Sequence, residues 1–384
     1  MKIYLCAVFD LEEMGEPRGG EMLSYHESKG QAWLKKLGRR EFLKELALMG
    51  GLVLIASFIP ACLRKAGPTK KTAVPAAAKE STMTSTDSMT RVGLVRTQNR
   101  MEGVRRGIAL LATNPVKGKA VTLKPNFNSA DPAPGSTHND TLRALVLDLQ
   151  EMGASSITLA ERSGPPNTRD VMEKKGIFPL VKELGIEVVN LQELGPEGWV
   201  HFKPSDSHWQ DGFLFARAYL EAEAIVQTCC LKTHAYGGHF TLSLKNSVGL
   251  VPRTGYPYMG ELHGSRYQRQ MIAEINTAYN TDLVVLDGVE AFVDGGPDKG
   301  TRVNAGVMIA GSDRVAIDAV GVAILRLLGT TPEVSKGPIF GQDQIARAVE
   351  LGLGVSSPEQ IQIMTDDAES EDFAGKVREI LLSG

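Results

Sequence analysis

The 384-residue chain lacks a long basic stripe, and its formal net charge of −3 leaves no electrostatic footprint for nucleic acid. Nucleic acid is therefore not an expected partner, whereas small molecules and proteins are. Cysteine is scarce: Cys6, Cys62, Cys229 and Cys230 form no spaced CxxC framework, so no zinc site or iron-sulfur cluster is expected from the cysteine pattern. Cys229-Cys230 follows the apolar run "AIVQT", which predicts two buried thiols, with a vicinal disulfide as the alternative. No apolar run reaches the about 20 residues that a membrane-spanning helix needs. The chain also shows no repeat of fixed period, no HExxH pairing and no nucleophile with an obvious activating partner. What is present is ordinary globular composition, 42% hydrophobic and 23% charged, which allows a substantial core.

The front of the chain reads as an address. In "GRREFLKELALMGGLVLIASFIPAC" the pair Arg39-Arg40 precedes an apolar stretch from Leu46 to Ile59, too short to span a bilayer and the right length for a signal-peptide core. The pattern resembles a twin-arginine signal, with Gly38 where Ser or Thr is usual. "IPAC" resembles a lipobox, which implies acylation of Cys62; Pro60 departs from the usual residue there. The expected partners of this segment are the twin-arginine translocation machinery and, through the lipid anchor, the membrane. The expected location is the periplasm or the outer face of the cytoplasmic membrane. Residues 1–62 are thus assigned to an N-terminal extension and signal, residues 63–90 to a flexible linker rich in Ala, Thr, Ser, Lys and Pro, and residues 91–384 to one large folded domain.

Within 91–384, β-branched apolar runs alternate with helical patterns. "KAVTL" reads as a strand, "NDTLRALVLDLQEMG" as a helix with an Asn or Asp cap, and "SITLA" as the next strand; "IEVVNL", "EAIVQTC", "DLVVLD" and "GVMIAG" are further strand candidates. "DRVAIDAVGVAILRLLG" reads as a helix capped by Ser312 or Asp313. Such alternation predicts an α/β fold with a mostly parallel sheet and helices on both faces. In such sheets ligands sit beyond the carboxyl ends of the strands. Four predicted strands run there into polar segments, at Lys124-Pro125-Asn126, Glu161-Arg162-Ser163-Gly164, Leu231-Lys232-Thr233-His234 and Asp287-Gly288.

Lys124, Lys232 and Lys245 are therefore candidates for binding an anionic small molecule or cofactor, with Arg162, Arg253 and Arg266 as further cations. Gly237 and Gly238 would let backbone N–H groups approach an anion. His234 could do acid/base work, or His234 and His239 could ligate a metal with help from His263, Glu261 or Asp287. Asn126 and Asn246 suit ligand or turn equally, and Asp318 lies inside a helix where capping does not explain it, unlike Asp313. "DGGPDKG" reads as a tight turn, since no strand-GxGxxG-helix context surrounds it.

The segments from "VTLKPNFNSADPAPGSTHND" to "ITLAERSG", then "CCLKTHAYGGHFTLSLKNSVGLVP", "LVVLDGVEAFVDGGP" and "AGSDRVAIDAVGVAILRLLG", resemble the domain of unknown function 362 family in order and spacing. The resemblance implies an α/β domain whose site would fall on Lys124, Asn126, Lys232, His234, Lys245, Asn246, Asp287 and Asp318. It implies no particular cofactor or reaction. Many relatives also look as if they carry a ferredoxin-like cysteine cluster, whose cysteines this chain lacks. Two functions stay open at this level: an exported enzyme acting on or with an anionic ligand, with Asp287 or Asp318 as orienting carboxylate, and a non-catalytic lipoprotein that binds a ligand or assists assembly of a redox complex.

Overall fold

Among the described residues, eleven strands are found where apolar β-branched residues cluster. They are β1 (Thr90–Arg96), β2 (Ala120–Lys124), β3 (Ser156–Glu161), β4 (Glu187–Asn190), β5 (Trp199–Phe202), β6 (Phe213–Ala216), β7 (Ala224–His234), β8 (His239–Thr241), β9 (Leu283–Gly295), β10 (Gly300–Gly311) and β11 (Ile361–Met364). The computed structural model describes residues 89–384. Arg39, Arg40, Cys62 and all but the last two residues of the 63–90 linker lie outside the described residues.

Nine of these strands form one sheet in the order β11-β1-β10-β9-β7-β2-β3-β4, with β8 folded back on β7. Pairing is parallel between β11 and β1, β9 and β7, β7 and β2, β2 and β3, and β3 and β4. β10 runs against both of its neighbours, because the "DGGPDKG" segment is a hairpin turn that returns the chain from β9. The alternating strand-helix reading is right for β2 to β4, and misses that β7, β9 and β10 run to 11, 13 and 12 residues. It also misses β1 and the β5-β6 hairpin, which pairs apart from the main sheet over an aromatic cluster of Trp199, Phe213 and Phe215.

Helices cover both faces of the sheet. On one face lie α1 (Arg100–Ala109), α2 (Asn139–Glu151) and, after the short α3 (Thr168–Lys174), α4 (Ile177–Leu184). In α2 the residues Leu142, Leu145, Val146 and Leu149 follow helical spacing and are all fully buried. Its cap is His138, not an Asn or Asp: the ring Nδ1 accepts from the N–H of Asp140 at 3.1 Å. The opposite face carries α7 (Arg314–Leu327) and α9 (Ala368–Ser383), after α5 (Ser243–Asn246) and α6 (Gln268–Ile275), with α8 (Asp343–Glu350) beside them. Asp313 caps α7 by accepting from Val315 and Ala316 N–H groups at 2.8 and 3.0 Å. The two-residue period of a strand divides its side chains between these layers: Val284 and Leu286 of β9 face one core, Leu283 and Val285 the other. No helix among the described residues is long and apolar enough to cross a membrane.

Candidate functional site

The sheet order makes β7, β2 and β3 consecutive parallel neighbours, so their carboxyl ends lie side by side. β2 ends in Lys124, β3 in Glu161, and β7 runs through Lys232 to His234. The chain beyond β2 adds Asn126, the chain beyond β3 adds Arg162, and the chain beyond β8 adds Lys245 and Asn246 on α5; together these groups line one cavity. Its volume is about 70 Å³, space for several waters at roughly 10–15 Å³ each. That suits phosphate, sulfate or a carboxylate group better than a whole dinucleotide. Four basic side chains, Lys124, Arg162, Lys232 and Lys245, face one carboxylate, Glu161, a formal excess of three positive charges.

Three of the cations are held in different ways. Lys124 donates to Glu161 Oε1 at 2.6 Å and to the Pro125 carbonyl at 2.7 Å, and both partners of the ion pair are buried. Glu161 also accepts from the N–H groups of Arg162 at 2.8 Å and Phe127 at 2.9 Å, so it is bonded on both oxygens. Lys232 donates to Asn126 Oδ1 at 3.0 Å, the Gly135 carbonyl at 2.6 Å and the Pro297 carbonyl at 3.1 Å. All three acceptors are neutral, so its charge is solvated by dipoles and not cancelled. Arg162 is spread over backbone carbonyls, including Val251 at 3.0 and 2.7 Å and Ser163 at 2.9 Å. An amide relay ties the set together: Asn126 Nδ2 donates to Asn246 Oδ1 at 3.3 Å, and Asn246 Nδ2 to the Thr228 carbonyl at 3.2 Å.

Lys245 differs from the other three. It is buried, and its ammonium has no hydrogen-bond or ion-pair partner among the described residues. Desolvation, then the nearby Lys232 and Arg162 charges, push it down to about 8. Desolvation also lowers Lys124 and Lys232, and brings Arg162 down to about 10. Burial, reinforced by Lys245 and Lys232, drives His234 far below the ordinary histidine range. His234 is therefore a neutral imidazole here, not a base that titrates near neutrality as the sequence suggested. Its Nδ1 and the Thr241 hydroxyl, both at the cavity, are buried without hydrogen-bond partners. Gly238 makes room for this arrangement, since a Cβ there would lie 2.9 Å from both His234 Nδ1 and Lys245 Cε.

The sequence candidates Lys124, Asn126, Lys232, His234, Lys245 and Asn246 are thus brought together, and Asp287 and Asp318 are not. Asp287 was placed at a strand end, but β9 continues to Gly295, so Asp287 lies mid-strand and faces the α1–α2 layer. There it accepts from Arg100 Nε at 2.9 Å, Thr141 Oγ1 at 2.6 Å and the Val289 N–H at 3.1 Å. Asp318 is fully buried on α7 and accepts from the Ser243 N–H at 2.7 Å, the Leu244 N–H and Gln344 Nε2 at 3.3 Å. It caps the start of α5 and so positions Lys245 and Asn246, and it does not line the cavity where an orienting carboxylate was expected. Burial raises it to about 8 despite those donors.

His234 and His239 were the candidate metal ligands. They pair across β7 and β8, but among the described residues no three His, Cys, Asp or Glu side chains are grouped to hold a metal. His263 bonds the Met259 carbonyl at 2.7 Å and Glu261 the Gln210 N–H at 2.6 Å. Cys229 and Cys230 are free and buried; burial raises both thiols, Cys230 to about 11. They are inert thiols and not a disulfide. Sequence reasoning missed Glu161 and Thr241 as members of the site. Glu161 stood in a quoted strand-end segment, and the signal that could have found it is an acid at the end of a strand beside one ending in lysine.

Fold and site together define an α/β domain with a small basic cavity at the carboxyl ends of adjacent parallel strands. Residues 121–323 match the family described as "Domain of unknown function (DUF362)", and the chain belongs to that family. It is 27% identical over 252 residues to a thylakoid-associated protein of Synechocystis sp., a match that covers 64% of this chain and 75% of that protein. It is also similar to the structure of the lactate racemase apoprotein from Thermoanaerobacterium thermosaccharolyticum, at 13% identity and a TM-score of 0.40, over 76% of this chain and 86% of that one.

Proposed function

We propose that the cavity binds a small oxyanion, or the phosphate or carboxylate group of a larger ligand, in a protein exported by the twin-arginine route and held to the membrane through acylated Cys62. One observation carries the binding reading: among the described residues, the ammonium of the largely buried Lys245 side chain and the buried His234 Nδ1 and Thr241 hydroxyl have no hydrogen-bond partner at a single cavity with a net positive lining. Buried polar groups are nearly always hydrogen-bonded, and uncompensated buried charge is costly. An anion accepting from Lys245 and Lys232 would relieve both conditions at once. Inside the cavity Glu161 is committed to Lys124 and to backbone N–H groups, so no free carboxylate stands ready as a base. That favours ligand binding over acid/base catalysis.

Titration calorimetry of the full-length chain with inorganic phosphate, sulfate and acetate tests this. Saturable binding of at least one anion is expected near pH 7. Affinity should weaken as pH rises through about 8, where Lys245 loses its proton. Failure of all three to bind would sink the reading.

A further inference from the structure

A second cavity, of about 120 Å³, shares Arg162 with the first. Its character is different. Leu191, Leu194, Pro196, Trp199 and Tyr256 give it apolar and aromatic walls, Arg253 adds a cation, and no carboxylate lines it. Arg253 Nε is buried without a hydrogen-bond partner, and its guanidinium donates otherwise to the Pro165 carbonyl. Tyr256 is held in place by stacking on Tyr258, with ring centroids 5.6 Å apart and planes 14° from parallel. Trp199 is anchored in the aromatic cluster under the β5-β6 hairpin.

Flat aromatic side chains standing beside a guanidinium favour a ring that also carries hydrogen-bond acceptors. Guanidinium charge without a carboxylate selects against cationic ligands. We propose that this second cavity is the subsite for the ring-bearing body of an anionic ligand whose oxyanion group occupies the basic cavity, with Arg253 meeting a further acceptor on that ligand. This rests on the oxyanion reading of the first cavity. The two cavities then divide one molecule at Arg162: charge is recognised on the Lys232–Lys245 side, and the ring on the Trp199–Tyr256 side.

The experiment compares inorganic phosphate with phenyl phosphate by titration calorimetry on the full-length chain. Phenyl phosphate is expected to bind about tenfold tighter, the gain that partial burial of one ring supplies. Arg253→Ala and Tyr256→Ala, both at residues in contact with solvent, should each bring the ratio of the two affinities down toward one. A ratio near one in the unmodified chain, or a ratio that neither substitution changes, overturns the subsite while leaving the oxyanion reading standing. Absence of binding by both ligands overturns the two readings together.

Discussion

Replacing Lys245 by Met should strengthen the empty fold and weaken the ligand site at the same time. The Met side chain keeps the apolar stem and removes the ammonium. In the folded chain Lys245 is pushed down to about 8 from an ordinary 10.5. At roughly 1.4 kcal/mol per pH unit, holding that charge buried at pH 7 costs about 3 kcal/mol of folding stability. Below about 8 the group is protonated in both states and the cost is fully present. Between about 8 and 10.5 the folded chain has released a proton that the unfolded chain still holds, so stability rises with pH across that window. The Met variant should lack the share of this rise that Lys245 supplies and should melt roughly 5 °C higher at pH 7. A charge-assisted hydrogen bond to a bound anion is worth about 1.5–3 kcal/mol, so phosphate affinity should fall by about ten- to a hundredfold. Thermal unfolding at pH 7 and pH 9.5, with and without phosphate, reads both effects. A variant that is less stable than the parent, or that phosphate stabilises equally well, would refute the account of Lys245 as an unpaired cation kept for a ligand.

Four further variants address other parts of the protein. Glu161→Gln removes the counter-charge of Lys124 from a buried pair 2.6 Å apart, and urea unfolding should show a loss of about 3–5 kcal/mol; a loss below about 1 kcal/mol would mean that the pair is not what holds Lys124. Gly238→Ala drives a methyl group against His234 Nδ1 and Lys245 Cε. Phosphate affinity should drop about tenfold with an unchanged far-UV spectrum, and undiminished affinity would remove those two groups from the site. For the export proposal, fractionation of cells carrying Arg39→Lys with Arg40→Lys should find the chain retained in the cytoplasm, and Cys62→Ser should release it from the membrane fraction. Unaltered distribution of both variants would dismiss the signal.

Much of the site could be read before any fold was known, because one topological rule links sequence to place. If parallel strands end at or close to Lys124, Glu161 and Lys232, their carboxyl ends share an edge, and the groups there converge. The rule failed at Asp287 because the apolar run that marks a strand does not mark its end: β9 carries on through Gly288 and Glu290 to pair with β10. Asp318 fell outside that rule: a carboxylate inside an apolar helix looks alike whether it serves a substrate or caps another element. The cap is made to Ser243 and Leu244, 75 and 74 residues away.

The sequence by itself determined the alternation of strands and helices, the two-sided burial of the sheet and the gathering of lysines and asparagines at its edge. These follow from local periodicity and chain direction, which need no knowledge of distant partners. Tertiary structure decided which of those groups are satisfied. Lys124 is neutralised by an acid 37 residues away, Lys232 is solvated by carbonyls from two loops, and Lys245 receives no partner among the described residues. Charge compensation depends on contacts of a few ångströms between remote segments, and such contacts exist only once the whole sheet has formed.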